Sequence, residues 1–286
     1  MILVATVNQA YAESGYLSPR AKQRYDASVV VNRPANVQGL TGLILTNSAY
    51  TQPKGRIVAG LATIAENSST PDFSIVQGLA TVTAGVSDRI ELGARAQVVG
   101  TNLGSSSTRE IGFGDTDLLF KWRISSQGDT LPAIALGFVY TMPTGDSSKG
   151  LSGVEHEGAR LLVIGTSEKE MPGEYFIGVY FEGQLVYNDR LPWQDRKSYS
   201  DEYGVVNAGL LFPITNDRKL QGIFEYNTVV KKDIPSVYEQ NYWALMPGLR
   251  YVTEQLNVSL GVQLMNRDQA GFEDTLRYLG TLSYAF

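Results

Sequence analysis

Thr275-Leu-Arg-Tyr-Leu-Gly-Thr-Leu-Ser-Tyr-Ala-Phe286 closes the chain with strict alternation. In an extended strand Leu276, Tyr278, Gly280, Leu282, Tyr284 and Phe286 share one face, while Arg277, Thr281 and Ser283 share the other. An apolar face this continuous suits the edge of a soluble sandwich or the lipid side of a membrane strand. The choice between them turns on how often the pattern recurs and on what the opposite faces carry.

The pattern does recur. Segments of the same kind lie at 56–67, 73–86, 89–101, 109–124, 130–143, 158–168, 174–187, 202–214, 218–231, 241–253 and 256–267, which with 275–286 makes about twelve. Each is near the length of a tilted membrane strand and longer than the usual soluble strand of about five or six residues. The connectors predict two unlike ends. Ser87-Asp88, Ser125 to Asp129, Lys169 to Glu174, Thr215 to Arg218 and Thr253 to Gln255 read as short turns. They alternate with longer connections at Ser68 to Asp72, Asn102 to Thr108, Thr144 to Glu157, Asn188 to Asp201, Lys232 to Gln240 and Asp268 to Asp274. Membrane barrels sort periplasmic turns from extracellular loops in this way, and an even strand number puts both ends of the strand run on the periplasmic side.

The polar faces decide which side meets lipid. Ile90, Leu92, Ala94, Ala96 and Val98 oppose Glu91, Gly93, Arg95 and Gln97, and Thr116, Leu118, Phe120, Trp122 and Ile124 oppose Asp115, Asp117, Lys121 and Arg123. Near 256–267, Leu256, Val258, Leu260, Val262 and Leu264 oppose Asn257, Ser259, Gly261 and Gln263. The apolar faces carry no charge, as a bilayer demands, since a charge near its middle costs roughly 2–4 kcal/mol. The polar faces mix signs, as a lumen does. Pairing of 89–101 with 109–124 brings Arg95 opposite Asp115 or Asp117, close enough for a cross-strand ion pair. Glu91, Arg95, Asp115, Asp117, Lys121 and Arg123, with Glu182, Glu225, Arg250 and Arg277 elsewhere, are therefore the candidates for a selectivity constriction. The same residues also suit a second role, bracing a mostly filled interior.

Composition narrows the partners. No run approaches the ~18 uninterrupted apolar residues of a spanning helix. A formal net charge of -5, spread along the chain, offers no basic patch for nucleic acid. With no Cys there is neither a disulfide framework nor a thiolate metal site. The single His, His156, sits in Gly150-Leu-Ser-Gly-Val-Glu-His-Glu-Gly158 with Ser152, Glu155 and Glu157 nearby. A Gly-rich loop holds a nucleophile and its base poorly, so this stretch reads as a polar loop and no catalytic, metal or cofactor residue is assigned. Gly145 to Gly150 lacks Gly-Lys-Ser/Thr and is no phosphate loop. Trp193 reads as a loop aromatic that packs against neighbouring loops.

The amino-terminal part is different. Residues 1–12 end in Ala10-Tyr11-Ala12, a small-x-small site, and read as the tail of a secretory signal peptide. Residues 13–55 lose the alternation and carry Pro19, Pro34 and Pro53. Such a segment either hangs in the periplasm or folds into the lumen as a plug. The apolar residues of Gly39 to Gly55 favour docking inside the barrel or along its rim. Residues 56–286 are the barrel.

Two stretches carry a resemblance. Terminal Phe286, with Tyr284, Leu282 and Tyr278 on its face, resembles the carboxy-terminal signal by which bacterial outer-membrane barrels are recognised for insertion. Ile111-Gly-Phe-Gly-Asp-Thr-Asp-Leu-Leu-Phe-Lys-Trp-Arg-Ile124, followed by Pro132-Ala-Ile-Ala-Leu-Gly-Phe-Val-Tyr-Thr-Met-Pro-Thr-Gly-Asp146, resembles the outer-membrane transporters of the "MetA-pathway of phenol degradation" type. The match runs over about 82–146 and continues beyond that only as architecture. It implies a Gram-negative outer-membrane porin-like channel for passive transport of small solutes, aromatic or apolar compounds among them. Its partners would be outer-membrane lipid and lipopolysaccharide, and the barrel-assembly machinery acting on the last strand. Gly42 to Gly55 also resembles the start of exopolysaccharide-export barrels, so a polymer-export or structural role stays open, as does an outer-membrane hydrolase. The expected fold is all-β: a transmembrane antiparallel barrel of about twelve strands with an N-terminal plug-like segment.

Overall fold

The computed structural model describes residues 33–69, 72–103, 109–128, 130–146, 149, 151, 157–171, 175–188, 202–231, 242–267 and 275–286. Its strands are β1 (Ile57–Ser69), β2 (Asp72–Ser87), β3 (Ile90–Leu103), β4 (Arg109–Ser125), β5 (Ala133–Met142), β6 (Gly158–Glu170), β7 (Phe176–Asn188), β8 (Glu202–Pro213), β9 (Leu220–Lys231), β10 (Tyr242–Val252), β11 (Leu256–Arg267) and β12 (Thr275–Ala285). Each pairs antiparallel with its neighbours in sequence, and β12 returns to β1 to close the barrel. At that seam Val58 faces Ala285 and Asn67 faces Leu276. The Phe286 N–H donates to the Ile57 carbonyl at 2.8 Å, so the last residue takes part in closure.

A closed barrel leaves no sheet edge, so every strand can afford an apolar outer face. Leu61, Val76, Leu92, Leu118, Phe138, Leu161, Val179, Leu210, Phe224, Leu249, Leu260 and Leu282 make up that belt, all exposed on the outside. Among residues whose side chains are described, the outward faces carry one charge, Lys169, next to the last residue of β6. Aromatic residues collect near the two rims. Trp122, Phe212, Tyr251, Tyr284 and Phe286 lie towards the end where β1 begins and β12 finishes, here called the terminus end, and Phe113, Tyr187, Trp243 and Tyr278 towards the other. Such girdles mark the two interfaces of a membrane barrel.

The outward and inward sets predicted for β3, β4, β11 and β12 match the observed faces. The connectors sort less cleanly than their residues suggest. At the terminus end they run from the pair 88–89 to residues 126–132, and at the opposite end from the pair 70–71 to residues 143–157. The correction at 68–72 arises because β1 and β2 pair out to Ser69 and Asp72, past the point where the apolar alternation fades.

β4 also holds a register shift. Ala96 pairs with Thr116 and Val98 with Phe113, so Gly114 and Asp115 together oppose Gln97. Outward positions are odd before this bulge (Ile111, Phe113) and even after it (Leu118, Phe120), and Asp115 and Asp117 both turn inward. Gly114 makes room for the Gln97 side chain, whose Cγ would lie 2.5 Å from an added Cβ. The Gly-Asp element and Pro143-Thr-Gly-Asp146 come together in space. Thr144 Oγ1 donates to the Gly114 carbonyl at 2.8 Å, and the Gly145 N–H donates to Asp115 Oδ1 at 3.3 Å.

Candidate functional site

Residues 34–52 run inside the barrel and are buried, apart from half-buried Leu45 and Tyr50. Local turns shape this segment. Ala35 bridges Thr41 and Gly42 bridges Asn47. Asn36 knots the two loops: its Oδ1 accepts from the N–H groups of Gln38 (2.9 Å) and Leu40 (3.3 Å), and its Nδ2 donates to Asn47 Oδ1 at 2.9 Å. Gly39 takes φ +86, a left-handed conformation that glycine adopts without strain. The N–H groups of Asn36, Val37, Gly39, Gly42, Leu43 and Ser48 bond to carbonyls of the segment itself, whereas those of Thr41, Ile44 to Asn47, Ala49 and Gln52 are met by the barrel wall, since a buried N–H needs a partner.

Three wall carboxylates do much of this. Glu91 accepts from Thr41 N (2.9 Å), Gln52 N (2.8 Å) and the Thr41 hydroxyl, and pairs with Lys121 Nζ at 2.8 Å, both side chains being wholly buried. Lys121 also donates to the Ser48 carbonyl at 3.1 Å. Glu225 accepts from the N–H groups of Ile44 (3.2 Å), Leu45 (3.1 Å) and Thr46 (2.6 Å). Glu182 accepts from Asn47 N, and Thr166 Oγ1 from Ala49 N at 2.9 Å. Wall donors bind the segment's carbonyls: Arg250 on Gly42 (2.9 Å), Arg95 on Val37 (3.2 Å) and Thr83 on Gly39 (2.9 Å). Bonds to ionised groups are worth roughly 1.5–3 kcal/mol each, so the cradle outweighs an ordinary loop contact.

Apolar contacts seal the fit. Leu43 and Ile44 cluster with Phe176, Tyr180, Leu211, Ile223 and Met246, and Leu40 and Ala49 with Leu119, Val139, Leu162 and Ile164. Those wall residues point into the lumen, where burial beneath the segment keeps them from water. At Gly93 an added Cβ would sit 2.7 Å from the Gly39 carbonyl oxygen. Gly93→Val is therefore expected to unseat the segment while leaving the barrel closed. Protease nicking of residues 34–52 in the refolded protein should accelerate by at least about tenfold if seating loses 1.4 kcal/mol. An unchanged rate would place the segment elsewhere.

At the terminus end of the lumen Arg33 pairs with Glu168 at 2.9 Å and stacks 3.7 Å over the Tyr50 ring. Burial and the nearby Glu168 push the Tyr50 phenol up to about 12, against the pull of Arg33 and Arg123. Towards the other end, Arg95 and Arg160 share Asp117, Arg160 at 2.9 Å, while Thr141 donates to the same carboxylate at 2.7 Å. A chain of side-chain bonds then crosses the far wall. Arg277, paired with Glu66, donates to Gln263 (3.3 Å), Gln263 to Asn227 (3.0 Å), Asn227 to Asn207 (2.9 Å) and Asn207 to Glu182 (3.4 Å). Arg277 can only donate, so it fixes the orientation of every amide that follows in the chain.

The ten lumen candidates thus separate into groups. Glu91, Lys121, Glu182, Glu225 and Arg250 touch the segment and are buried beneath it, and Arg95 both touches it and pairs with Asp117. Asp115 ties down the 143–146 connection. Arg123 donates to the Asp88 carbonyl at the terminus-end rim, and Arg277 sits at the start of the amide chain. Arg160, Glu66, Thr166 and Glu168 belong with them although their sequence context does not single them out. Their inward parity within β1 and β6 was the available signal. Ser152, His156, Trp193 and residues 1–32 lie outside the described residues. No group of metal-ligating side chains occurs among the described residues.

No family model matches the sequence, and no curated protein matches it. Solved structures do. An outer membrane channel from Pseudomonas putida F1 superposes with a TM-score of 0.57 at 10% identity, covering 83% of this chain and 98% of that one. The NanC porin gives 0.52 at 8% identity, with 79% and 98% covered. At such identities the likeness is one of fold, and the closed twelve-stranded antiparallel barrel found here is the fold of outer-membrane channels.

Proposed function

We propose that the protein is a passive channel of the bacterial outer membrane whose lumen is closed at rest by residues 34–52. The observation that carries this reading is a closed barrel with an apolar exterior and a charged interior, occupied by a segment the wall holds through polar contacts. In this reading the terminus end faces the periplasm and the long connections face outward against lipopolysaccharide. The assembly machinery engages β12 through Tyr278, Leu282, Tyr284 and Phe286. The cargo is a small solute of aromatic or apolar character, as in the MetA-pathway type that the Gly-Asp and Pro-Thr-Gly-Asp elements resemble. Transport is gradient-driven, and Arg95, Asp117 and Arg160 line the path beyond the segment. None of the described residues is assigned a catalytic role.

The test is single-channel conductance of the refolded protein in a planar bilayer, with and without residues 34–52. The intact protein is expected to open rarely and the deletion variant to conduct steadily. Silence of both, with insertion verified, would overturn the aqueous channel.

A further inference from the structure

The part of the cradle around Glu182 and Glu225 differs from the rest. Asn207 and Gly209, on β8, face Glu182 and Glu225 across the ladder, and the absence of a side chain at Gly209 makes a bay beside Glu225 that takes the Leu43 side chain. A Cβ at Gly209 would lie 3.4 Å from Glu225 Cγ and 3.6 Å from Thr46 Oγ1, and would collide with the Leu43 side chain. The bay is therefore filled by the segment itself.

Neither carboxylate has a cation at ion-pair distance among the described residues. The three cations nearby are engaged elsewhere: Lys121 on Glu91 (2.8 Å), Arg160 on Asp117 (2.9 Å) and Arg250 on the Gly42 carbonyl (2.9 Å). Glu182 and Glu225 are instead met by N–H groups, those of Asn47, Gln184 and Asn207 on the first and of Ile44, Leu45 and Thr46 on the second. Around them Phe176, Tyr180, Leu211, Ile223 and Met246 enclose the Leu43 and Ile44 side chains. The segment thus presents the bay with N–H donors on an apolar body.

We propose that this bay is a solute site for small organic amines carrying an apolar or aromatic body, and that Leu43 to Asn47 occupy it as a built-in surrogate. The proposal rests on the channel reading for its physiological meaning, and names the solute class that would displace the segment. A primary ammonium supplies three donors and the positive charge that backbone amides lack. Phe176 and Tyr180, clustered about Leu43 and Ile44, suit the apolar or aromatic body of such an amine. An anionic solute would be repelled by both carboxylates, and a hydrocarbon would leave them with too few donors.

The chain has no cysteine, so Ser48→Cys places a single thiol on the segment next to Thr166. Its maleimide labelling rate in vesicles reports displacement of the segment whether or not current flows. Benzylamine, benzoate and benzyl alcohol are compared at equal ionic strength. Benzylamine is expected to raise the rate saturably, by about tenfold, equivalent to 1.4 kcal/mol of preference for the displaced state. Benzoate and benzyl alcohol are expected to leave it unchanged. Glu225→Gln should raise the amine-free rate and abolish the response to amine. An equal response to all three compounds, or to none, overturns the site. Bilayer current recorded on the same variant separates the two claims. Amine-driven labelling without current sinks the channel and leaves the site standing, and current without an amine response does the reverse.

Discussion

Glu91→Leu is expected to release the segment and to do so more strongly than any other single substitution in the cradle. It strands Lys121, wholly buried, without its counter-ion, and it removes the acceptor for Thr41 N and Gln52 N. Breaking one side of a buried pair costs roughly 3–5 kcal/mol, because the remaining charge stays desolvated. If that loss falls on seating, the labelling rate of a Ser48→Cys reporter should rise by about two to three and a half orders of magnitude. Lys121→Met should act in the same direction. The double variant E91L/K121M is expected to recover part of the loss, since two apolar side chains leave no stranded charge, and the non-additivity measures the coupling. A Glu91→Leu protein that labels within a factor of about two of its parent would mean that this pair braces the wall alone.

The second large effect concerns the outside of the barrel. Leu260, in the middle of β11, is 64% exposed and points away from the lumen. Leu260→Arg should destabilise the protein refolded into vesicles by about 2–4 kcal/mol, the cost of a cation near the bilayer midplane. Leu256→Arg, at the start of the same strand, should cost only about 0–1 kcal/mol, because the interface is close. Denaturant titration in lipid reads both. Equal and small effects at the two positions would show that the belt meets water.

The barrel was legible because its rule is local. Parity put Leu92 and Leu118 outside, pairing of neighbouring strands put Arg95 opposite Asp115 or Asp117, and the observed register selects Asp117. What parity could not reveal was the receptor role of Glu91, Glu182 and Glu225. Their partners are backbone N–H groups of residues 41–52, and a backbone donor has no side-chain signature. One clue was present. Leu119, Leu162, Ile164 and Ile223 stand on strand faces that otherwise carry charged and polar residues, and apolar residues on a lumen face imply that something dry lies against them. The bulge at Gly114-Asp115 escaped for another reason. It changes parity inside one apparently continuous strand, so Ile111 and Phe113 share the outer face with Leu118 despite the odd-to-even step.

The wiring of the cradle also sets an order of assembly. The segment lies ahead of β1, yet its contacts to Glu225 and Arg250 span 181 and 208 residues of chain. Contacts this distant in sequence form late, since the loop they close must first lose its freedom. The part made first therefore finds its seat only once β9 and β10 are in place, after most of the wall exists to receive it. The apolar lumen patches beneath the segment are then uncovered until the end of folding. A chain delayed at that stage exposes Leu162, Leu211 and Ile223 to its neighbours, and seating of the segment ends that exposure and so guards against self-association.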